Sequence, residues 1–152
     1  MKKVFNSKSI NPDKYEVFIL LCPSNLPFPF FTHPWFVCNE KGKVSRWEIL
    51  FKKNRNKDWG YLYLNNYPPF SGIESIPFIS KWYWKSTLLN KIEGELAERM
   101  INFIKRSREN YPHLKNYSLN GTNSNTYAQW ILDHFTETKT KLPWSCIGKD
   151  VK

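Results

Sequence analysis

The sequence contains few cysteines, and their spacing is unsuited to a disulfide framework or a metal site. Only Cys22, Cys38 and Cys146 occur among the 152 residues, an odd number at wide intervals. No Cys-x-x-Cys pair is present, which argues against the common zinc sites. Two of the three lie inside apolar runs, where cysteine usually behaves as a small buried hydrophobic residue. We therefore expect no disulfide framework, no metal and no organic cofactor.

Long apolar runs are also missing. A helix that spans a membrane needs about 20 predominantly apolar residues in succession, and no segment approaches that length. The apolar run nearest the start, 17–22, follows Asp13, Lys14 and Glu16 and is too short for the apolar part of a signal peptide. We therefore expect a cytoplasmic protein without a transmembrane segment.

Acidic residues are scarce relative to basic ones. The 13 Asp and Glu residues stand against 23 Lys and Arg, which gives a formal charge of +10 and a pI near 9.5. Such a protein is attracted to anionic surfaces, including nucleic acids and lipid headgroups. The densest basic cluster is 52–57, with Lys52, Lys53, Arg55 and Lys57. No nucleic-acid motif accompanies this cluster, so we interpret it as a solvated loop. A weak attraction to polyanions or a membrane surface is the alternative.

Apolar and aromatic residues, in contrast, are plentiful. Hydrophobic residues make up 41% of the chain and aromatic residues 17%, which is enough to build a core. A length of 152 residues is common for one domain, and smaller pieces would bury too little surface. We therefore predict a single domain over 1–152.

Turn-forming residues divide the first half into short strand candidates. Segment 16–22 is rich in β-branched and aromatic residues and is bounded by prolines. Segments 31–38 and 43–51 flank Asn39-Glu40-Lys41-Gly42, a quartet that suits a turn and so predicts an antiparallel hairpin. A short strand at 61–64 and an irregular connection at 65–77 follow.

The second half shows helical spacing. One buried stripe is predicted between about 90 and 110, formed by Leu89, Ile92, Leu96, Met100, Phe103 and Ile104. Asn90 with Glu93 is typical of a helix start. A second helix is predicted over 124–135, with Thr122 or Asn123 as its cap. The tail, 142–150, is apolar enough that we expect it to dock on the body as an extended segment. The pattern indicates an α+β domain, an N-terminal antiparallel sheet packed against two main helices.

Ser124 lies at the first turn of the second predicted helix. A nucleophile there is close to unpaired backbone N–H groups and to the positive end of the helix dipole, both of which stabilise developing negative charge. The alternative is structural, because serine and asparagine at a helix start are also what capping requires.

His33 lies near the beginning of the first hairpin strand. A four-residue turn would place Cys38 opposite Lys43, and His33 would then lie opposite Glu48. Cross-strand partners point to the same face, so Glu48 could orient the imidazole. A register slip of one residue would abolish this pairing. The alternative is an ordinary hydrogen-bonded histidine at a strand edge.

The order of these motifs resembles a known arrangement. It consists of His33-x-Trp35-Phe36-Val37 on an early strand, Gly121-x-Asn123-Ser124-Asn125-Thr126-Tyr127 opening a late helix, and Ile147-Gly148-Lys149-Asp150 near the end. Over most of the chain this pattern resembles a bacterial family of unknown function. That family in turn is similar to circularly permuted NlpC-type papain-like domains and to lecithin retinol acyltransferase-like domains.

The resemblance implies a permuted papain-like fold and a role for each matching residue. His33 matches the general base, Glu48 the polar orienter, and Ser124 the nucleophilic cysteine. Asn123 and Asn125 would support the site or help to hold an oxyanion. A serine at this position needs its proton removed during attack, whereas a cysteine would ionise beforehand.

Two functions follow as hypotheses. The first is an acyl-transfer enzyme, a hydrolase or acyltransferase acting on an amide, ester or thioester. The second is an inactive papain-like binding module for a peptide, a lipid or an anionic partner. In either case, aromatic residues could line an apolar groove: Phe28, Phe30, Trp35, Trp82 and Trp84.

Three questions stay open at this point. A nucleophile on Cys146 or Cys38 is a third hypothesis, although neither residue lies at a predicted helix start. Lys149 or Asp150 would join the site if the tail packs over Ser124. The sequence does not indicate the oligomeric state.

Overall fold

A five-stranded antiparallel sheet forms the centre of the computed structural model, which describes residues 6–25, 27–52, 58–76 and 82–152. Its strands, in spatial order, are β4 (Leu62–Leu64), β3 (Lys43–Ile49), β2 (Thr32–Glu40), β1 (Tyr15–Pro23) and β7 (Thr87–Glu93). With its helices, the sheet makes a single α+β domain, as expected. The basic cluster predicted at 52–57 lies outside the described residues except for Lys52.

The hairpin between β2 and β3 is present, but its turn is tighter than expected. Glu40 pairs with Lys43, so the loop consists of Lys41 and Gly42 alone, with φ angles of 49° and 96°. Two successive residues of positive φ are typical of a two-residue hairpin turn that matches the twist of the strands. The quartet interpretation of this turn was therefore wrong.

The tighter turn moves the register by two residues. Cys38 lies opposite Ser45, not opposite Lys43 as predicted, and Arg46 lies opposite Val37. Side chains alternate between faces with a period of two, so a shift of two residues leaves every side chain on its expected face. His33 and Glu48 consequently still share a face, as diagonal neighbours.

The first predicted helix begins later than its sequence pattern indicated. Residues 87–93 form strand β7, which pairs with β1 from Glu16–Glu93 to Leu21–Thr87. Helix α1 (Glu95–Lys105) follows Gly94, whose φ is 75°, and α2 (Ser107–Asn110) continues it. The start predicted at Asn90 was wrong because β1 is buried on both faces and needs a partner for the backbone groups along its second edge.

The two faces of the sheet are covered differently. One face packs against α1 and α3 (Ser124–His134) through a core that includes Val17, Ile19, Phe36, Met100, Ile104, Tyr127 and Ile131. The other face lies under a ribbon of two short strands, β5 (Ser71–Glu74) and β6 (Tyr83–Lys85), and includes Phe18, Leu20, Trp35, Val37 and Ile73. Strand alternation therefore directs His33, Arg46 and Glu48 toward the ribbon side.

The start of α3 and the tail form one hydrogen-bonded unit. Asn123 caps the helix by accepting bonds from the backbone amides of Asn125 and Thr126. Two carbonyls of the tail accept hydrogen bonds from this helix start. Ile147 O accepts from the side-chain amides of Asn123 and Asn125, and Gly148 O accepts from Thr126 Oγ1. The predicted cap at Asn123 is confirmed, and the tail docks on the body as predicted. The prediction that the tail is extended was wrong, because residues 144–150 form a series of turns with local backbone hydrogen bonds.

The two longest helices, α1 and α3, have 11 residues each. Over the ranges that the structure describes, none of the helices is long and apolar enough to cross a bilayer.

Candidate active site

A cavity of about 630 Å³ opens at the end of the sheet where β2 begins and β3 ends. His33 and Ser124, which are far apart in the sequence, both contribute to its wall. The other polar lining residues are Ser24, Asn25, Lys52, Glu74 and Ser118, and the apolar and aromatic ones include Ile49, Leu50, Phe51, Tyr67, Ile73, Tyr117 and Leu119. The cavity therefore joins the two candidate catalytic residues predicted from the sequence.

His33 contacts Glu48, as predicted. Its Nε2 atom lies 3.1 Å from Oε2 of the carboxylate, and both side chains are almost completely buried. An ionised carboxylate can only accept a hydrogen bond, so Nε2 carries the proton in this contact. The other ring nitrogen, Nδ1, is then the atom that can accept a proton from a nucleophile.

Arg46 is a buried component of the site that the sequence analysis missed. Its Nε and Nη2 atoms donate to the two carboxylate oxygens of Glu48 at 3.0 and 2.8 Å. Its Nη1 atom donates to the backbone carbonyls of Pro68 and Ser71. The guanidinium also stacks over the ring of Trp35, 4.3 Å from its centroid. Arg46 therefore fixes Glu48 in place and ties the 68–71 loop to the sheet.

The balance of charges keeps Glu48 ionised. Burial alone would raise the pKa of this carboxyl, but the hydrogen bond from His33 and the positive charge of Arg46 outweigh burial and lower the pKa below its ordinary value of 4.5. A carboxylate that is already paired with arginine can still orient an imidazole. Glu48 is thus suited to fixing the ring of His33.

Ser124 occupies the first position of α3 and is buried apart from its share of the cavity wall. The neighbouring amide of Asn125, which we expected to help hold an oxyanion, already donates to the capping oxygen of Asn123 at 2.9 Å. The amide of Ser124 itself is the remaining candidate donor from this pair. The expectation that the Asn125 amide holds an oxyanion is thus not supported by its hydrogen bond.

The side chains of Asn123 and Asn125 face the tail. Asn123 Nδ2 donates to the carbonyls of Leu119 and Ile147, and Asn125 Nδ2 donates to Ile147 O at 2.8 Å. Neither residue is among those described as lining the cavity. Their support of the site is therefore structural: they hold the first turn of α3 in position.

In the described part of the chain, His33 and Ser124 share the cavity without a hydrogen bond between them. Within the described ranges, the side chain of Ser124 forms no hydrogen bond to His33, whose bonded partner is Glu48. The separation follows from the fold, because His33 points to the ribbon side of the sheet while α3 packs on the opposite side. A ligand that fills the cavity would lie between the two residues.

The three tryptophans expected to form a groove lie elsewhere. Trp35 has no exposed surface, and its indole N–H donates to Pro69 O at 2.9 Å. Trp82 and Trp84 contact each other at the ribbon with their rings tilted by 51°, 5.1 Å between ring centroids. The aromatic residues that do line the cavity, Phe51, Tyr67 and Tyr117, were missed because they come from loops that carry no periodic pattern.

The three cysteines are free, buried and poorly suited to nucleophilic attack. Burial raises the pKa of Cys22 and of Cys146 to about 12, and burial also raises the pKa of Cys38. A raised thiol pKa leaves little of the reactive thiolate at neutral pH. These thiols give no support to the hypothesis of a cysteine nucleophile.

Lys149 and Asp150 lie in a separate part of the surface. Lys149 Nζ donates to Asp150 at 2.8 Å, and both residues line a second cavity of about 530 Å³ together with Tyr111 and Trp130. Neither is among the described residues that line the cavity at His33. In the part of the chain that the structure describes, no group of three or more His, Cys, Asp or Glu side chains could hold a metal ion.

Comparison with known proteins gives one match. A protein-family model with the description "Protein of unknown function (DUF3750)" matches residues 27–151, which include His33, Glu48 and Ser124. Searches of curated protein sequences and of solved structures found no match.

Proposed function

Because this chain belongs to the DUF3750 family, whose description assigns no activity, we propose a function from the site itself: acyl transfer by Ser124, either hydrolysis or transfer to an acceptor. The substrate would be an amide, ester or thioester. The observation that carries the proposal is that Ser124 and a histidine oriented by a buried carboxylate line one cavity. This is the set of groups that a serine acyltransferase or hydrolase requires.

The first chemical step would form an acyl-enzyme. Ser124 Oγ attacks the substrate carbonyl carbon while its proton passes to His33 Nδ1, and the carbonyl electron pair moves onto oxygen. When the tetrahedral intermediate collapses, the bond to the leaving group breaks and His33 returns the proton to that group. Glu48 stays ionised throughout and stabilises the imidazolium.

The second step would release the acyl group. Water, or an alcohol, amine or thiol acceptor, attacks the ester at Ser124 while His33 again removes the proton. Ser124 then leaves as its hydroxyl. The atoms balance with the substrate and the acceptor alone, and no cofactor takes part.

This chemistry requires a hydrogen bond between the Ser124 hydroxyl and His33 Nδ1, which the described residues do not form. Proton transfer needs the two atoms within about 3 Å, and catalytic hydrogen bonds often tighten only when substrate is bound. We propose that substrate binding brings the Ser124 hydroxyl to Nδ1. The apolar stretch of the cavity, from Ile49 to Leu50 and across to Ile73, would hold the acyl part of the substrate.

We also propose that the fold is a circularly permuted papain-like one. The support is the order of its parts: a strand that carries His33, a neighbouring strand that carries Glu48, and a later helix that begins with Ser124. This order is similar to that of the NlpC-type domains named above.

A binding module without catalysis is the second candidate. It is favoured by the missing Ser124–His33 hydrogen bond in the described residues and by the use of the Asn125 amide for capping. In this case, the cavity would hold a peptide, a lipid or an anionic partner, and the His33–Glu48–Arg46 network would only stabilise the fold.

Labelling with a fluorophosphonate probe separates the two candidates. We expect the folded parent protein to be labelled, and Ser124→Ala and His33→Ala to lose the label. Ser118→Ala is the matched control, because Ser118 lines the same cavity but has no role in the proposal. Retention of the label in Ser124→Ala would contradict Ser124 as the nucleophile. A folded parent protein that reacts with none of several such probes would favour the binding module.

A further inference from the structure

Large apolar side chains are exposed on loops that line the cavity or are tied by hydrogen bonds to its lining segments. Phe28, Phe30, Phe51, Leu119 and Trp144 are 43%, 62%, 64%, 67% and 83% exposed, and we call these five residues the apolar rim. All five lie in turns or coil segments and none in a helix or strand. Single exposed apolar residues are normal, but a group of large ones around an opening indicates a contact surface.

Two members of the apolar rim belong to the cavity directly. Phe51 and Leu119 line it, and so does Tyr117, whose ring centroid lies 5.1 Å from that of Phe51. The opening of the cavity is therefore bordered on this side by side chains that project into solvent.

The other three members lie on segments that are connected to the cavity lining by backbone hydrogen bonds. Phe28 and Phe30 lie in the turn that follows Ser24 and Asn25 of the cavity wall, and Ser24 N donates to Phe31 O. Their rings contact each other at 6.1 Å between centroids.

Trp144 is held beside this turn by the tail. Thr32 N donates to Ser145 O, and the hydroxyls of Thr32 and Ser145 lie 2.6 Å apart. Asn123 Nδ2 bridges the carbonyls of Leu119 and Ile147, so the segment that carries Leu119 is tied to the same tail. Hydrogen bonds thus connect the segment that carries Phe28 and Phe30, the tail, and the segment that carries Leu119.

The protein as a whole is positively charged, with a net charge of +10. Lys52, directly after Phe51, and Glu74 both line the cavity, so the attraction to anionic lipid comes from the charge of the whole protein. Phenylalanine and tryptophan side chains bind at the headgroup level of a bilayer, and basic proteins are attracted to anionic lipid. An apolar side chain on a loop can enter this layer without the shape complementarity that a protein partner demands.

We propose that the apolar rim docks the protein on an anionic lipid surface, with the mouth of the cavity facing the headgroups. The rim side chains enter the interface, and the positive charge of the protein draws it to the surface. The proposal goes beyond the proposed function, since binding to lipid requires neither Ser124 nor turnover. It also places the cavity where an acyl substrate from the bilayer could enter.

Co-sedimentation with lipid vesicles tests the proposal. The parent protein is mixed with vesicles of phosphatidylcholine alone, or of phosphatidylcholine with about 30% phosphatidylserine, at low and at high salt. We expect binding to the anionic vesicles that weakens as salt rises. The double variant Phe30→Ser, Trp144→Ser should bind these vesicles about ten-fold more weakly, because two large apolar side chains no longer enter the interface.

Two controls separate the outcomes. Trp82→Ser removes an exposed tryptophan that does not belong to the rim, and this variant should bind like the parent. Ser124→Ala should also bind like the parent, so failure of the acyl-transfer proposal would leave this one intact. Equal binding by the parent and the rim variant would overturn the proposal. So would absence of vesicle binding, including the case where the rim instead mediates self-association in sedimentation.

Discussion

The side chain of Arg46 holds both carboxylate oxygens of Glu48, with hydrogen bonds of 3.0 and 2.8 Å, and both side chains are removed from solvent. Buried charges are tolerated in a protein when each is paired and its remaining hydrogen-bonding capacity is satisfied. Here Nη1 of Arg46 donates its hydrogen bonds to the carbonyls of Pro68 and Ser71, and Glu48 accepts a further hydrogen bond from His33. The same network therefore supports the fold and orients the candidate catalytic histidine.

Removal of Arg46 should destabilise the protein strongly. Arg46→Met leaves the Glu48 carboxylate buried with only His33 as a partner, and breaking such a pair costs about 3–5 kcal/mol. The free energy of unfolding can be measured by urea denaturation. Arg99→Met is the matched control, since Arg99 pairs with Glu137 at the surface and should change stability by less than about 1 kcal/mol. Equal stability of the two variants would show that the buried pair contributes little.

Glu48 should make stability depend on acidic pH. Its pKa is lowered in the folded protein, so below the ordinary value of 4.5 the unfolded chain binds more protons than the folded one. The stabilisation by Glu48 is therefore fully present above that value and is lost as pH falls through the folded pKa. Urea denaturation from neutral to acidic pH should show a smaller loss for Glu48→Gln than for the parent. An unchanged pH profile in Glu48→Gln would contradict this assignment, and Glu109→Gln, at an exposed position, serves as the surface control.

Gly148 should tolerate no side chain. Its φ is 91°, and a Cβ atom there would lie 2.5 Å from Gly121 O and 2.6 Å from Asn123 Nδ2. Gly148→Ala should therefore cost both backbone strain, roughly 1–3 kcal/mol, and the packing of the tail on α3. Gly94→Ala isolates the strain, because Gly94 has a φ of 75° but open space around it. We expect Gly148→Ala to lower the free energy of unfolding more than Gly94→Ala does, and the difference measures the lost packing of the tail on α3. Equal losses in the two variants would contradict this account of Gly148.

The cysteines should be unreactive in the folded state. All three are buried, and burial raises their pKa values, so a thiol reagent such as iodoacetamide meets little accessible thiolate. We expect mass spectrometry to find no modified cysteine in the native protein and three in urea. Rapid modification of one native cysteine would revive the hypothesis of a cysteine nucleophile. The variant with that cysteine changed to serine would then be the one to test.

The site was predictable in part. Alternation along β2 and β3 placed His33 and Glu48 on one face, and this held although the register moved by two residues. Arg46 was missed as a member of the network because its role depends on the carbonyls of Pro68 and Ser71, which only the folded loop brings near. Trp35 was assigned to a groove because its exposure cannot be read from the sequence; the structure buries it under Arg46.

The sequence by itself determined the features that depend on interactions between residues close together along the chain. The cap of α3 at Asn123 is formed with residues two and three positions later. Local turn residues also set the position of the hairpin, although its loop is Lys41 and Gly42 and not the predicted quartet. Tertiary structure decided what depends on distant partners. Residues 87–93 became a strand because β1 needed a second edge partner, and the cavity formed because the start of β2, the end of β3 and the first turn of α3 meet in space. Such contacts arise only when burial of the whole core compensates the entropy lost in bringing remote segments together.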